Sequence, residues 1–243
     1  MRHHVVITGT GRSGTTFLVE LLTRLRLDTG WDVENIKETS SSQPLRPGML
    51  QSQADVLDKG FVYPSWDPIA RAGLEKSIFD PAAPYIVKSP GISNFIAKVL
   101  ADDRIQLDHV FIPIRDLQAA AESRRMVVRI NEQNLSFKNR IKSLFKRNAR
   151  FNRYAGGLTR TSSLKPGAQE QSLCLQIYEL MLNLAACDVP VTFIRYPTLT
   201  ADAKYLYRKL APILAGISED VFTSVFSETV RPELVHTFNK NDV

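Results

Sequence analysis

The sequence predicts an α/β fold: a single domain, 1–243, with a mostly parallel central sheet flanked by helices. Three observations lead there. Four short apolar runs, at 4–8, 85–88, 110–114 and 191–195, have the length and continuity of strands buried on both faces. Longer amphipathic stretches separate them, as crossovers between parallel strands require. With 44% hydrophobic residues among 243, the chain can also bury one large core.

Taken in order, 4–8 is the run Val5-Val6-Ile7 with polar ends, and 14–26 is a helix whose apolar residues are Phe17, Leu18, Leu21, Leu22 and Leu25. Segment 39–90 holds seven of the thirteen prolines and reads as loop-rich, a lid or acceptor loop, before the strand at 85–88. A helix is expected at 92–100 and a buried strand at 110–114. The helix at 117–131 starts near Asp116, so that Asp116, Ala119, Ala120 and Ser123 share a face. Segment 136–150 spaces Phe137, Ile141, Leu144 and Phe145 helically among Lys and Arg, and reads as a basic amphipathic helix. Residues 156–168, from Gly156-Gly157 to Pro166-Gly167, form a second loop-rich connection. Helices at 169–186 and 201–214 flank the strand at 191–195. Cys174 and Cys187 fall on one predicted helix, about 20 Å apart at ~1.5 Å rise per residue, too far to pair within the subunit. Two thiols without metal-ligand spacing favour a reducing compartment.

The chemistry concentrates where the first strand meets the first helix, in Thr8-Gly9-Thr10-Gly11-Arg12-Ser13-Gly14-Thr15-Thr16. A glycine-rich turn between a strand and a helix N-terminus gathers backbone N–H groups, and the helix dipole adds partial positive charge. An anion fits there. The spacing nearly matches the phosphate loop of nucleoside triphosphatases, but Thr15 stands where that loop needs Lys, and the basic residue comes earlier, at Arg12. ATP or GTP hydrolysis is therefore disfavoured.

Gly11-Arg12-Ser13-Gly14-Thr15-Thr16-Phe17-Leu18 resembles the loop that holds the 5′-phosphosulfate in sulfotransferases using 3′-phosphoadenosine 5′-phosphosulfate (PAPS). Its Arg-Ser-Gly form is similar to that of Golgi-type and many bacterial members. A second motif agrees: Arg115 at the end of a strand and Ser123 eight residues later resemble the family's pair for the donor's 3′-phosphate. The resemblance implies a P-loop nucleoside-triphosphatase-like sulfotransferase fold, PAPS as donor, 3′,5′-adenosine bisphosphate as product and no metal. It implies a donor site of Gly11, Arg12, Ser13, Gly14, Thr15, Thr16, Arg115 and Ser123. Lys88, in Val87-Lys88-Ser89-Pro90, is similar to a Lys-x-Pro turn whose Lys contacts the sulfuryl group in some members. The general base is expected at Glu38, with Glu34 and Asp32 as alternatives; His3, His4, His109 and His236 read as structural. The expected acceptor is a hydroxyl of a carbohydrate or glycolipid. Arg195-Tyr196 matches the start of a family segment, but Pro197-Thr198 replace its two acids, and the late Arg-Lys-Gly…Gly-Asp-Trp element of soluble members is absent.

Charge is unevenly spread. The chain carries +6, yet 124–160 holds eleven Arg and Lys residues against one acid, Glu132, so this stretch carries +10 and the remainder −4. It could face an anionic acceptor, the donor's phosphates or an acidic membrane surface, or be a solvated basic face; nucleic acid is not expected. No apolar run approaches the roughly 20 residues that span a bilayer, and no signal-peptide pattern opens the chain, so a cytoplasmic enzyme, or a catalytic domain excised from an anchored one, is expected. Two other readings are a small-molecule or nucleotide kinase on the same fold, and a non-catalytic module that binds polyanions through the basic stretch.

Overall fold

The computed structural model describes residues 1–31, 78–133, 163–232 and 235. Within them lie four strands: β1 (Arg2–Ile7), β2 (Ile86–Lys88), β3 (Ile105–Ile114) and β4 (Val191–Arg195). They form one open sheet, ordered β2-β1-β3-β4, in which every neighbouring pair is parallel. Period-two alternation then sorts the side chains onto two faces. Val5, Ile7, Ile86, Phe111 and Ile194 join one apolar cluster, whereas Val6, Val87, Val110 and Ile112 join the other.

Each face is covered by helices from different parts of the chain. α1 (Thr15–Arg24) packs Leu18, Val19, Leu21 and Leu22 on the first face, and α2 (Ile96–Leu100) packs Ile96 and Val99 on the second. α3 (Leu117–Gln133) packs against α4 (Ala168–Ala185), and α4 adds Leu180 and Leu184 to the second face. After β4 the chain returns to the first face through α5 (Thr198–Ala201), α6 (Ala203–Leu210) and α7 (Glu219–Thr229), which contribute Leu199, Leu206, Leu210, Phe222 and Phe226.

This partition follows from strand order. The step from β1 to β2 runs one way along the sheet, and the steps from β2 to β3 and from β3 to β4 run the other way. Right-handed crossovers must then put α1 on one face and α2 and α4 on the opposite face. The reversal lies between β1 and β3, so the crevice of the sheet opens at their carboxyl ends. The glycine-rich turn leaves β1 there, and Arg115 follows β3.

Local signals explain most boundaries. α1 ends with Arg26 in the left-handed region (φ 61°) and Leu27 N donating to Leu22 O, a Schellman closure. Asp116 caps α3, its Oδ1 accepting from Ala119 N at 2.9 Å. Ser218 caps α7 ahead of Glu219 and Asp220, which favour its positive end.

Several expectations need correction. β3 begins at Ile105, so His109 lies inside the strand instead of before it; Asp108 is the extra residue where the β1 register shifts between His4 and Val5. The helix expected at 92–100 is a 3-10 turn, Ile92–Asn94, and then α2, divided at Phe95 with φ −144°. The helix expected at 201–214 is divided at Asp202, which is extended and caps α6 through Tyr205 N at 2.8 Å. Cys187 lies beyond the end of α4, so the two cysteines do not share a helix; both are free thiols. The helix expected at 136–150 and most of the loops at 39–90 and 156–168 lie outside the described residues. Among the described residues, no helix is long and apolar enough to cross a membrane.

Candidate functional site

The turn after β1 is built from backbone conformations that most side chains avoid. Gly9 (φ 138°), Arg12 (φ 73°) and Gly14 (φ 96°) all have positive φ. Two of these positions also lack room for a side chain: a Cβ on Gly9 would lie 3.1 Å from Pro113 O, and one on Gly14 would lie 3.2 Å from the Leu199 methyls. The turn is therefore pressed between the end of β3 and the segment after β4. Ser13 is buried and its Oγ donates to Thr10 O at 2.6 Å, closing the turn from inside. Gly14 is the N-cap of α1 and supplies no side-chain cap. The first N–H groups of α1 lack intrahelical acceptors by helix geometry, so they suit an external anion.

Arg12 is the non-glycine residue in this strained group, which is where a functional reason is to be sought. Its Nε donates to Ser123 Oγ at 3.1 Å, and its carbonyl accepts from Arg115 Nη1 at 3.0 Å. The two motifs, more than a hundred positions apart, thus meet at one point. Ser123 is buried on α3, and the Arg115 guanidinium lies 4.6 Å from the centre of the Tyr196 ring. Burial lowers the Arg115 pKa from its ordinary value, and the Arg12 charge adds to that; Tyr196 and Asp116 oppose it.

Lys88 ends β2, next to β1, and is 6% exposed. Its Nζ donates to Thr16 Oγ1 at 2.9 Å and lies 5.2 Å from the centre of the Trp31 ring. Burial, reinforced by the charge of Arg12, brings its pKa down to about 7. Arg12, Arg115 and Lys88 thus put cationic side chains at one end of the sheet. Such a cluster favours an anion with more than one negative group.

Of the residues singled out from sequence, Gly11, Arg12, Ser13, Gly14, Thr15, Thr16, Lys88, Arg115 and Ser123 lie at this end of the sheet. Thr15 is buried and Thr16 is exposed, with its Oγ1 accepting from Lys88 Nζ. Glu38, Glu34, Asp32 and His236 lie outside the described residues. His3 and His4 sit at the other end of β1, where His3 Nδ1 meets Asp108 Oδ1 at 2.8 Å and His4 Nδ1 meets Pro84 O at 2.9 Å. His109 Nε2 meets Thr192 Oγ1 at 2.7 Å and stacks on Phe111. Among the described residues, no group of His, Cys, Asp and Glu is arranged to hold a metal.

Three further residues contribute to this end of the sheet. Tyr196 and Trp31 provide ring faces for the cations, and Gln176 of α4 reaches the turn after β2. Tyr196 had a signal in its place after a strand end; Gln176 had none in the pattern. No protein-family model and no curated protein matches the chain.

Proposed function

We propose that the protein is a sulfotransferase of the P-loop-like fold, which transfers a sulfuryl group from PAPS to a hydroxyl, with a carbohydrate or glycolipid as the favoured acceptor. The observation that carries this reading is the junction of Arg12, Arg115 and Ser123. A donor with phosphate groups at both ends of a nucleoside needs two anion sites side by side, and the motifs suited to them touch through two hydrogen bonds. The site also fits the group chemically. Two guanidiniums, an ammonium whose charge is disfavoured by burial, and a helix N-terminus without a side-chain cap all gain from a polyanion.

When bound, the donor supplies an activated sulfuryl group whose bond to the bridging oxygen breaks as the acceptor oxygen bonds to sulfur. The turn and the α1 N-terminus hold the phosphosulfate end, and Arg115 with Ser123 holds the 3′-phosphate. Arg12 and Lys88 offset negative charge on the departing oxygen and the transferring group, the electrostatic work that dominates such transfers. Glu38 takes the acceptor's proton.

The test is thermal stabilisation by 3′,5′-adenosine bisphosphate without magnesium, followed by transfer of labelled sulfate from PAPS to a panel of glycans, glycolipids and phenols. Stabilisation by the bisphosphate together with transfer supports the reading. A response to magnesium-ATP alone points to a kinase and overturns it.

A further inference from the structure

We infer that Gln176, on α4, is a positioning residue for the turn that carries Lys88: one amide grips the Pro90 carbonyl and the Arg124 guanidinium together, and so fixes that turn against the helix bearing Ser123. The inference rests on the proposed donor site, in which Lys88 and Ser123 both take part. Gln176 Nε2 donates to Pro90 O at 3.0 Å, and Gln176 Oε1 accepts from Arg124 Nη2 at 3.1 Å. Arg124 follows Ser123 on α3, and Pro90 follows Lys88 by two residues.

Both polar side chains are buried, Gln176 1% and Arg124 0% exposed. A buried amide is tolerated when its two ends are bonded, and here both are. The orientation is dictated by chemistry. A guanidinium can only donate and a carbonyl can only accept, so the reversed amide would lose both bonds. The position itself argues for a specific task. The buried face of α4 is polar at Gln169, Ser172 and Gln176 and apolar at Leu173, Leu180 and Leu184, at helical spacing, and Gln176 uses both ends of its amide on Pro90 and Arg124. A Leu there would leave the Pro90 carbonyl without this donor.

The turn is otherwise held by backbone bonds, Ser89 N to Ile7 O and Ile92 N to Ser89 O, while Thr16 and Trp31 meet the Lys88 ammonium. Arg12 is the charge that Lys88 senses. Gln176 therefore fixes the turn from the α4 side, and Lys88 keeps its place beside Arg12.

The experiment measures the pH midpoint of Lys88 acetylation by acetic anhydride, read by peptide mass spectrometry on the intact chain, with thermal unfolding in parallel. Gln176→Met removes both bonds at nearly constant volume. Gln176→Glu keeps the partner for Arg124 but cannot donate to Pro90. Both variants are expected to raise the Lys88 midpoint toward that of an ordinary lysine. A folded Gln176→Glu protein with the wild-type Lys88 midpoint overturns the inference, and that variant decides alone if Gln176→Met does not fold. Failure of the donor-site reading shows separately, as wild-type protein that 3′,5′-adenosine bisphosphate does not stabilise.

Discussion

Arg12 and Ser123 share a hydrogen bond, Nε to Oγ at 3.1 Å, although 111 positions separate them in the chain. Arg115 completes the link by donating to the Arg12 carbonyl. The three residues form one hydrogen-bonded group, and they should respond to substitution as one.

Loss of Arg115 should weaken 3′,5′-adenosine bisphosphate binding by about 10- to 100-fold, the range for hydrogen bonds to charged groups. Arg12→Ala and Ser123→Ala should each weaken it as well, and the double variant should lose less than the sum of the two, because contacting residues couple. Isothermal titration of the four proteins in that cycle checks this. Strict additivity would separate the two motifs.

Gly14→Ala should destabilise the fold by about 1–3 kcal/mol, because alanine at positive φ is strained and its Cβ meets Leu199. Gly167→Ala is the control. It has a comparable φ of 79° with no atom within 4 Å of the added Cβ, so the difference between the two variants isolates the clash. Chemical denaturation of both proteins measures it.

Lys88 gives the stability a pH dependence. Its pKa is about 7 in the folded protein and 10.5 in the unfolded chain, so between those values the unfolded chain binds more protons. Stability should then rise with pH across that window, by at most about 1.4 kcal/mol per pH unit from this one group. Below the window the cost of the buried charge is fully present. Lys88→Met should flatten the slope and raise Tm at pH 7 and below, as thermal unfolding across the pH range would show. A bound dianion favours the charged amine, so bisphosphate binding should take up a proton and weaken above pH 7.

Glu38→Gln should leave bisphosphate binding unchanged and lower kcat by about 10²- to 10⁴-fold, the range for a lost general base. Single-turnover sulfate transfer separates the two effects. Wild-type turnover in that variant would move the base elsewhere.

The inner part of the sheet was legible because residues 5–7, 86–87 and 110–112 are buried and apolar without interruption. The strand, turn and helix of 4–26 were plain for a second reason: two periodicities meet there at a glycine pair. The start of β3 was hidden because Gln106, Asp108 and His109 are polar, and its amino-terminal end lies where the sheet meets solvent and shifts register. The break at Asp202 was hidden by a continuous amphipathic pattern, since a cap residue and a surface polar residue look alike in sequence. For α7 the start signal is local, in Ser218 ahead of Glu219 and Asp220. In the site, Arg12, Arg115 and Ser123 could be matched because each sits at a fixed offset from a strand end. The ring faces of Tyr196 and Trp31 and the reach of Gln176 depend on how distant segments pack, which no local spacing encodes.

The absent side chain at Gly14 has a consequence for how the segment after β4 can vary. Leu199 and Tyr196 rest directly against the glycine-rich turn, so the stretch after β4 forms part of its wall. Substitutions there would be transmitted to the turn, and tolerated changes in that stretch should be those that preserve the shape of these two side chains.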